Sequence, residues 1–317
     1  MISNEYTLLS SLVESSATVR GQLTQVQQQV ASGKLSETYA GLGNQARTSL
    51  DLRPAIAHYG VWQSNINAAQ GRLDVTQSAL SSISSIAADF FARSNSVDTT
   101  DAIAVGGIAT QARAALQQVA GLLNSKSGDL YVFAGTDSSN PPVPNTDPAV
   151  VGSSVLASDT ARAPFSTTLT GTVTQIEVGE GQFVHVGVLA NANSLAVSQA
   201  PTTGSYMRDT LKALASLAGL TTGTGAAATA ASARGYLNSA ISAMATETGA
   251  LGQTAKSLTQ RQTGLAQIST ALSTQLSSVE DVDLAAAITK ASALQTQLQA
   301  SYQIIAQSKS LSLANFL

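Results

Sequence analysis

Between Tyr59 and Phe90 apolar residues recur in alternating steps of three and four without a break: Tyr59, Trp62, Ile66, Ala69, Leu73, Thr76, Leu80, Ile83, Ala87 and Phe90. At 3.6 residues per turn this spacing draws one narrow stripe along a single helix, the signature of a heptad seam. A stripe that long is buried by other helices, so the chain is confined to a helical bundle or coiled coil. Pro54 falls at the start of this helix, where a first turn tolerates it. Residues 95–100 break the pattern. A second helix follows over about Thr100–Asn124, with Ile103, Ile108, Ala112, Leu116, Val119 and Leu123 inward and Gly106-Gly107 as a local weakness.

Both ends of the chain repeat the device. From Ile2 to Val30 there is no Pro and only Gly21, and Leu12, Val19, Leu23, Val26 and Val30 share one stripe. Ser32-Gly33 supplies the stop, since Gly adopts the left-handed conformation that ends a helix. At the other end Ser277-x-x-Glu280 has capping-box spacing, and Glu280, Asp281 and Asp283 would sit in a first turn, where the helix dipole favours acids. Beyond them Leu284, Ile288, Ala291, Leu294, Leu298, Tyr302 and Ile305 recur at helical spacing. The chain closes on Leu311, Leu313, Phe316 and Leu317. Two narrow stripes read as one seam, with the N- and C-terminal helices side by side. Such a pair buries little apolar surface for the backbone it must order. It is expected to be frayed alone and to become ordered when neighbouring copies cover its remaining faces. Leu12, Val19, Leu23, Val26, Val30, Leu284, Ile288, Leu294, Leu298, Tyr302, Ile305 and Leu311 are therefore the candidate assembly residues.

The middle differs. Residues 129–204 hold six of the seven prolines, six acids and one base, a net charge of −5; the remainder has 13 acids and 15 bases, a net of +2. Leu169–Val178 and Phe183–Val188 alternate as strands do, and Gly179-Glu180-Gly181 between them reads as a hairpin turn. The charge split suggests that this β-rich insertion faces solvent. Helical patterning returns at Tyr206 with Met207, Leu211, Leu214 and Leu217. Residues 219–232 read as a low-complexity joint, and a long helix follows over about Ala233–Ser278 with Leu258, Leu265, Ile268 and Leu272 on heptad steps. Residues 34–46 read as a linker.

Composition excludes much chemistry. There is no cysteine, so neither disulfides nor thiolate metal sites are available. Net charge is −3 with pI near 5.3, without the basic footprint of a nucleic-acid binder. No run is long and apolar enough for membrane insertion, and the N-terminus lacks the basic and apolar regions of a cleaved signal peptide. His58 and His185 stand apart from any partner His. Ser32-Gly33-Lys34-Leu35-Ser36 fails as a phosphate loop, because Gln28 stands where a glycine is needed and a helix precedes the motif. The acids at 280–283 are accounted for by a helix start. No constellation supports an enzyme, a cofactor or a metal.

Glu280-Asp281-Val282-Asp283-Leu284-Ala285-Ala286-Ala287, followed by a Gln-rich amphipathic helix, resembles the carboxyl-terminal signature of the bacterial flagellin family. The ending Ala306–Leu317, the run Tyr131-Val132-Phe133-Ala134-Gly135-Thr136 before Pro141-Pro142, and Glu177–Gln182 resemble its hook-associated protein 3 branch, the hook–filament junction proteins. One departure is Ser36–Leu42, where the family often carries a Ser-Pro-Ser-Asp-Asp-Pro-like spoke, so contacts of that spoke are not carried over.

The expected fold is mainly α with a β-rich insertion: a long antiparallel coiled coil of the N- and C-terminal arms, with a central β outer domain. The expected domains are 1–43 with 280–317, inner and assembling; 44–128 with 205–279, a helical rod; and 129–204, outer. The resemblance implies a structural subunit of the flagellum, self-associated in a ring at the hook–filament junction. It implies as partners hook-associated protein 1, flagellin and the filament cap, and an export chaperone on the C-terminal helix. It also implies flagellar type III export without a cleaved signal peptide, to an extracellular location. A filament-forming flagellin is the alternative, and a surface hydrolase or adhesin built on 129–204 is a third reading.

Overall fold

The computed structural model describes residues 2–157, 163–169 and 171–314, with side chains for 10–157, 163–169 and 171–307. Its helices are α1 (Ile2–Ser32), α2 (Ala46–Ser96), α3 (Ala102–Leu123), α4 (Pro148–Ala157), α5 (Tyr206–Ala218), α6 (Ala226–Glu280) and α7 (Leu284–Ala314). A 3-10 segment at Tyr39–Gln45 precedes α2. Two antiparallel pairs complete the described elements: β1 (Lys126–Ser127) with β2 (Leu130–Tyr131), and β3 (Gln175–Gly179) with β4 (Gln182–His185). The chain divides into two compact units, Met1–His58 with Gln267–Leu317, and Tyr59–Ala266.

The stripe on α2 forms the spine of the second unit. Ile66, Leu73, Thr76, Leu80, Ile83 and Ala87 are fully enclosed, Ala69 and Phe90 nearly so. Tyr59 and Trp62 close one end in an edge-to-face contact, centroids 5.3 Å apart. From α3, Ile108, Ala112, Leu116, Val119 and Leu123 join the same core. Ile103, expected inward, is 86% exposed. It lies in the first turn, two residues after Asp101, whose side chain accepts the Ile103 amide and fixes the helix start there. Central to the unit is α5, packed on α3 and α4 and buried at 11 of its 13 residues. Several of its enclosed polar groups are answered: Asp209 accepts from Thr202 and Thr203, and the Arg208 Nε donates to the Ala163 carbonyl at 2.7 Å.

Two helix starts differ from the sequence expectation. α2 begins at Ala46, not near Pro54, so Pro54 lies inside it. The carbonyl it orphans belongs to Leu50, half exposed, where water can replace the lost bond. α6 begins at Ala226, because the alanines of 226–232 are strong helix formers and Gly225, at φ +101°, marks the break before them. On its inward side Leu258 and Leu265 are buried, whereas Ile268 is largely exposed.

Among the described residues of 129–204, strand structure is confined to short pieces. Of Leu169–Val178 only Gln175 onward pairs; the Thr174 hydroxyl is instead spent on the Gly135 carbonyl at 2.8 Å. The hairpin turn is where the glycines put it, with Gly181 at φ +63°. Val132, Phe133, Val143, Val151, Val155, Val178, Val186 and Val188 from this block enter the same core as the helices. The Tyr131–Thr136 run is a tight turn. Phe133 is fully buried, and Gly135 sits at φ +61° with a would-be Cβ 2.3 Å from the Thr172 carbonyl oxygen, so only glycine fits. Arg72 of α2 reaches this turn, its Nη2 donating to the carbonyls of Tyr131, Val132 and Gly135.

Candidate functional site

In the first unit α1 and α7, 31 residues and about 46 Å each, pack antiparallel. On α1 the inward positions are Leu12, Ser16, Val19, Leu23, Val26 and Val30, in steps of four and three. Of these Ser16, Val19, Leu23 and Val26 are buried, Leu12 and Val30 half-buried. Ser16 was not foreseen because it is polar; its hydroxyl donates back to the Leu12 carbonyl at 2.7 Å, which lets it sit in an apolar row. On α7 the facing row is Ala287, Ala291, Leu294 and Leu298, with Val282 packed at its base.

That row is turned from the expected one. Leu294 is buried, Leu298 and Ile305 half-buried, but Leu284, Ile288 and Tyr302 are 47%, 53% and 48% exposed. Ala287, which the sequence hid among three consecutive alanines, takes the seam position instead. At 100° per residue, Leu284, Ile288 and Tyr302 form a separate apolar stripe beside the seam. Ile304, 51% exposed, adds another unpartnered apolar side chain. The Leu311 side chain, and those of Leu313, Phe316 and Leu317, lie outside the described residues.

A polar clasp ties the two connections of this unit. The Leu35 amide donates to the Glu280 carbonyl (2.7 Å) and the Val282 amide to the Gly33 carbonyl (3.0 Å), an isolated antiparallel bridge. Glu280 is nearly sealed. It accepts from Ser49 Oγ (2.5 Å) and from Arg53 Nε and Nη2 (2.8 and 2.6 Å), and Lys34 Nζ stands 3.6 Å away. The forked Arg53 bond, then Ser49, hold the Glu280 carboxyl down at about 2 against the ordinary 4.5. Lys34 pairs with Asp281 at 2.5 Å, which raises the lysine and lowers the acid.

The capping-box reading of Ser277 and Glu280 is therefore corrected. α6 runs on through Glu280, and the cap of α7 is Asp283, whose Oδ1 accepts the Ala286 amide at 3.1 Å. Glu280 looks outward to partners 227 and 231 residues away in sequence instead of down its own helix.

His58 and His185 are exposed. His185 is hydrogen-bonded to Gln175 across the β3–β4 pair. Among the described residues no group of three or more His, Asp or Glu is placed to hold a metal, and no helix is long and apolar enough to cross a membrane.

One unit of paired terminal helices and another of bundled helices with short hairpins define a class, and the comparisons agree with it. The family model of the bacterial flagellin C-terminal helical region matches residues 235–317, which take in most of α6 and all of α7. The fold is similar to that of a Vibrio parahaemolyticus protein described as a flagellar hook-associated protein: TM-score 0.57, 12% identity, 77% of this chain and 99% of that one. It is similar also to Bacillus cereus FlgL (0.54, 14%, 72% and 99%) and Xanthomonas campestris FlgL (0.52, 17%, 71% and 99%). Among curated proteins no sequence match is found. Residues 235–317 are thus similar to the flagellin C-terminal helical region, and the fold is similar to that of flagellar hook-associated proteins.

Proposed function

We propose that this chain is a structural subunit of the bacterial flagellum, an adaptor at the junction of hook and filament that polymerises through its terminal helices. The observation that carries the reading is the α1–α7 pair. Its shared core is thin, and Leu284, Ile288, Tyr302 and Ile304 remain open on α7. Leu284, Ile288 and Tyr302 fall on one side of α7, and an apolar side left uncovered on a helix is the face that another copy of the same helices would bury.

In this reading copies associate in a ring, with hook-associated protein 1 on the hook side and flagellin and the filament cap on the distal side. An export chaperone covers the α7 stripe before assembly, and the subunit leaves the cell by the flagellar export route without a cleaved signal peptide. The acidic 129–204 block faces solvent outside the ring. No enzymatic role is assigned. Immunogold electron microscopy of intact flagella, with antibody against residues 129–204, tests the assignment. Label confined to a collar at the hook–filament boundary is expected. Label along the whole filament would make the protein a flagellin, whose C-terminal helical region is the one matched at 235–317, and absence of flagellar label would overturn both.

A further inference from the structure

Arg72 is only 8% exposed and has no carboxylate within ion-pair distance among the described residues. Its three carbonyl contacts to the Tyr131–Gly135 turn all use one nitrogen, Nη2, at 3.2, 3.3 and 3.5 Å, the long end of the hydrogen-bond range. Nε is sealed without an acceptor, and Nη1 has none among the described residues. Desolvating a guanidinium is costly unless charge and hydrogen bonds answer it. Glu247, 1% exposed, shows how the chain answers a buried charge elsewhere: one carboxylate oxygen collects the amides of Ser194, Leu195 and Ala196 at 2.7–3.0 Å. Arg72 has no equivalent.

Beside it lies a cavity of about 470 Å3, walled by Thr136, Ser138, Thr172, Thr174 and Gln175 as well as Arg72, with no acidic side chain in its lining. Leu130 and Val173 add apolar surface to the wall, and one buried cation beside hydroxyl and amide groups, with no carboxylate facing it, is complementary to a compact anion. We propose that this cavity is a receptor for a small oxyanion of the carboxylate or phosphate class, bound by the Nη1 group of Arg72, the guanidinium nitrogen that is neither sealed nor hydrogen-bonded among the described residues. The ligand completes the charge balance and locks the Tyr131–Thr136 turn onto α2. The site is independent of the flagellar assignment.

The test is amide hydrogen exchange on the full chain titrated with inorganic phosphate, then acetate, against chloride at matched ionic strength. At about tenfold excess over the dissociation constant, opening of the turn at Val132–Gly135 is expected to slow about tenfold, with saturation. Arg72→Met, similar in size and apolar, should remove the effect. Should that variant not fold, Ser138→Asp decides: it supplies the carboxylate from the cavity wall, so it should slow exchange without phosphate and abolish the response to it. Protection by phosphate but not acetate assigns a phosphate site, and protection by both a general oxyanion site. No saturable protection by either ion, or a phosphate response undiminished in Arg72→Met or Ser138→Asp, overturns the proposal.

Discussion

The two compact units are written in the same alphabet and end in different states. α2 over residues 59–90 and α7 over residues 284–305 both carry Ala, Leu and Ile at steps of three and four. In the second unit every stripe position from Ile66 to Phe90 is closed off, because α3, α5 and the inward valines of 129–204 contribute to one core. In the first, the described side chains of α7 pack against α1; among them Ala287 and Leu294 are the buried apolar residues, while three expected seam residues stand open. A heptad stripe states which side of a helix will be covered, but the number of covering partners decides whether the stripe becomes a core or a docking face.

That contrast can be broken most forcefully in the second unit. Leu116→Ala removes a fully enclosed side chain and should cost about 2–5 kcal/mol. It is measurable by denaturant titration of the fluorescence of Trp62, the chain's single tryptophan. Leu294→Ala in the first unit should leave that Trp62 transition within about 0.5 kcal/mol of wild type. Equal losses would mean the two units fold as one. Gly135→Ala comes next. A left-handed backbone and a Cβ 2.3 Å from the Thr172 oxygen should together cost about 2–4 kcal/mol by the same titration.

Glu280→Gln should cost less, about 1–3 kcal/mol, discounted because the Arg53 side chain is 51% exposed. The acid's value falls from 4.5 to about 2 on folding, so the folded state binds fewer protons between those limits. The stabilisation is therefore complete above about pH 4.5 and is lost as pH falls toward 2; Asp281 moves in the same direction. Lys34, raised by Asp281, contributes below its usual 10.5 and loses that contribution as pH rises past its folded value. Limited proteolysis of the connections at 33–45 and 281–283 should report the acid limb in wild type and not in Glu280→Gln. The smallest effect on the monomer belongs to Ile288→Asp, within about 0.5 kcal/mol because the side chain is already 53% exposed. The same variant should abolish polymerisation in a sedimentation assay. Unimpaired polymers would remove Ile288 from the docking face.

How much of this was legible in the residues depends on range. The α2 stripe, the Gly33 stop and the turn at Gly179–Gly181 are set by periods and conformations within a few neighbours, and the structure has them where the sequence put them. The clasp is not local: Ser49 and Arg53 meet Glu280 across more than 200 residues, and nothing in Ser277-x-x-Glu280 distinguishes an acid capping its own helix from one reaching a distant arginine. The phase of α7 is set non-locally too. Periodicity points to Leu284 and Ile288, but close approach to α1 is made by the small Ala287. Ile103 was misplaced because a cap at Asp101 fixes where the helix begins, and the first-turn position it leaves faces water.

The most direct test of the claim that α1 and α7 are an incomplete core in a single copy is native-state amide exchange, on the monomer and then on the sedimented polymer. In the monomer, α1 and α7 should exchange orders of magnitude faster than the enclosed α5, and on assembly they should approach α5 in protection while α5 itself does not change. Terminal helices already as protected as α5 in the monomer, and unaltered in the polymer, would contradict it.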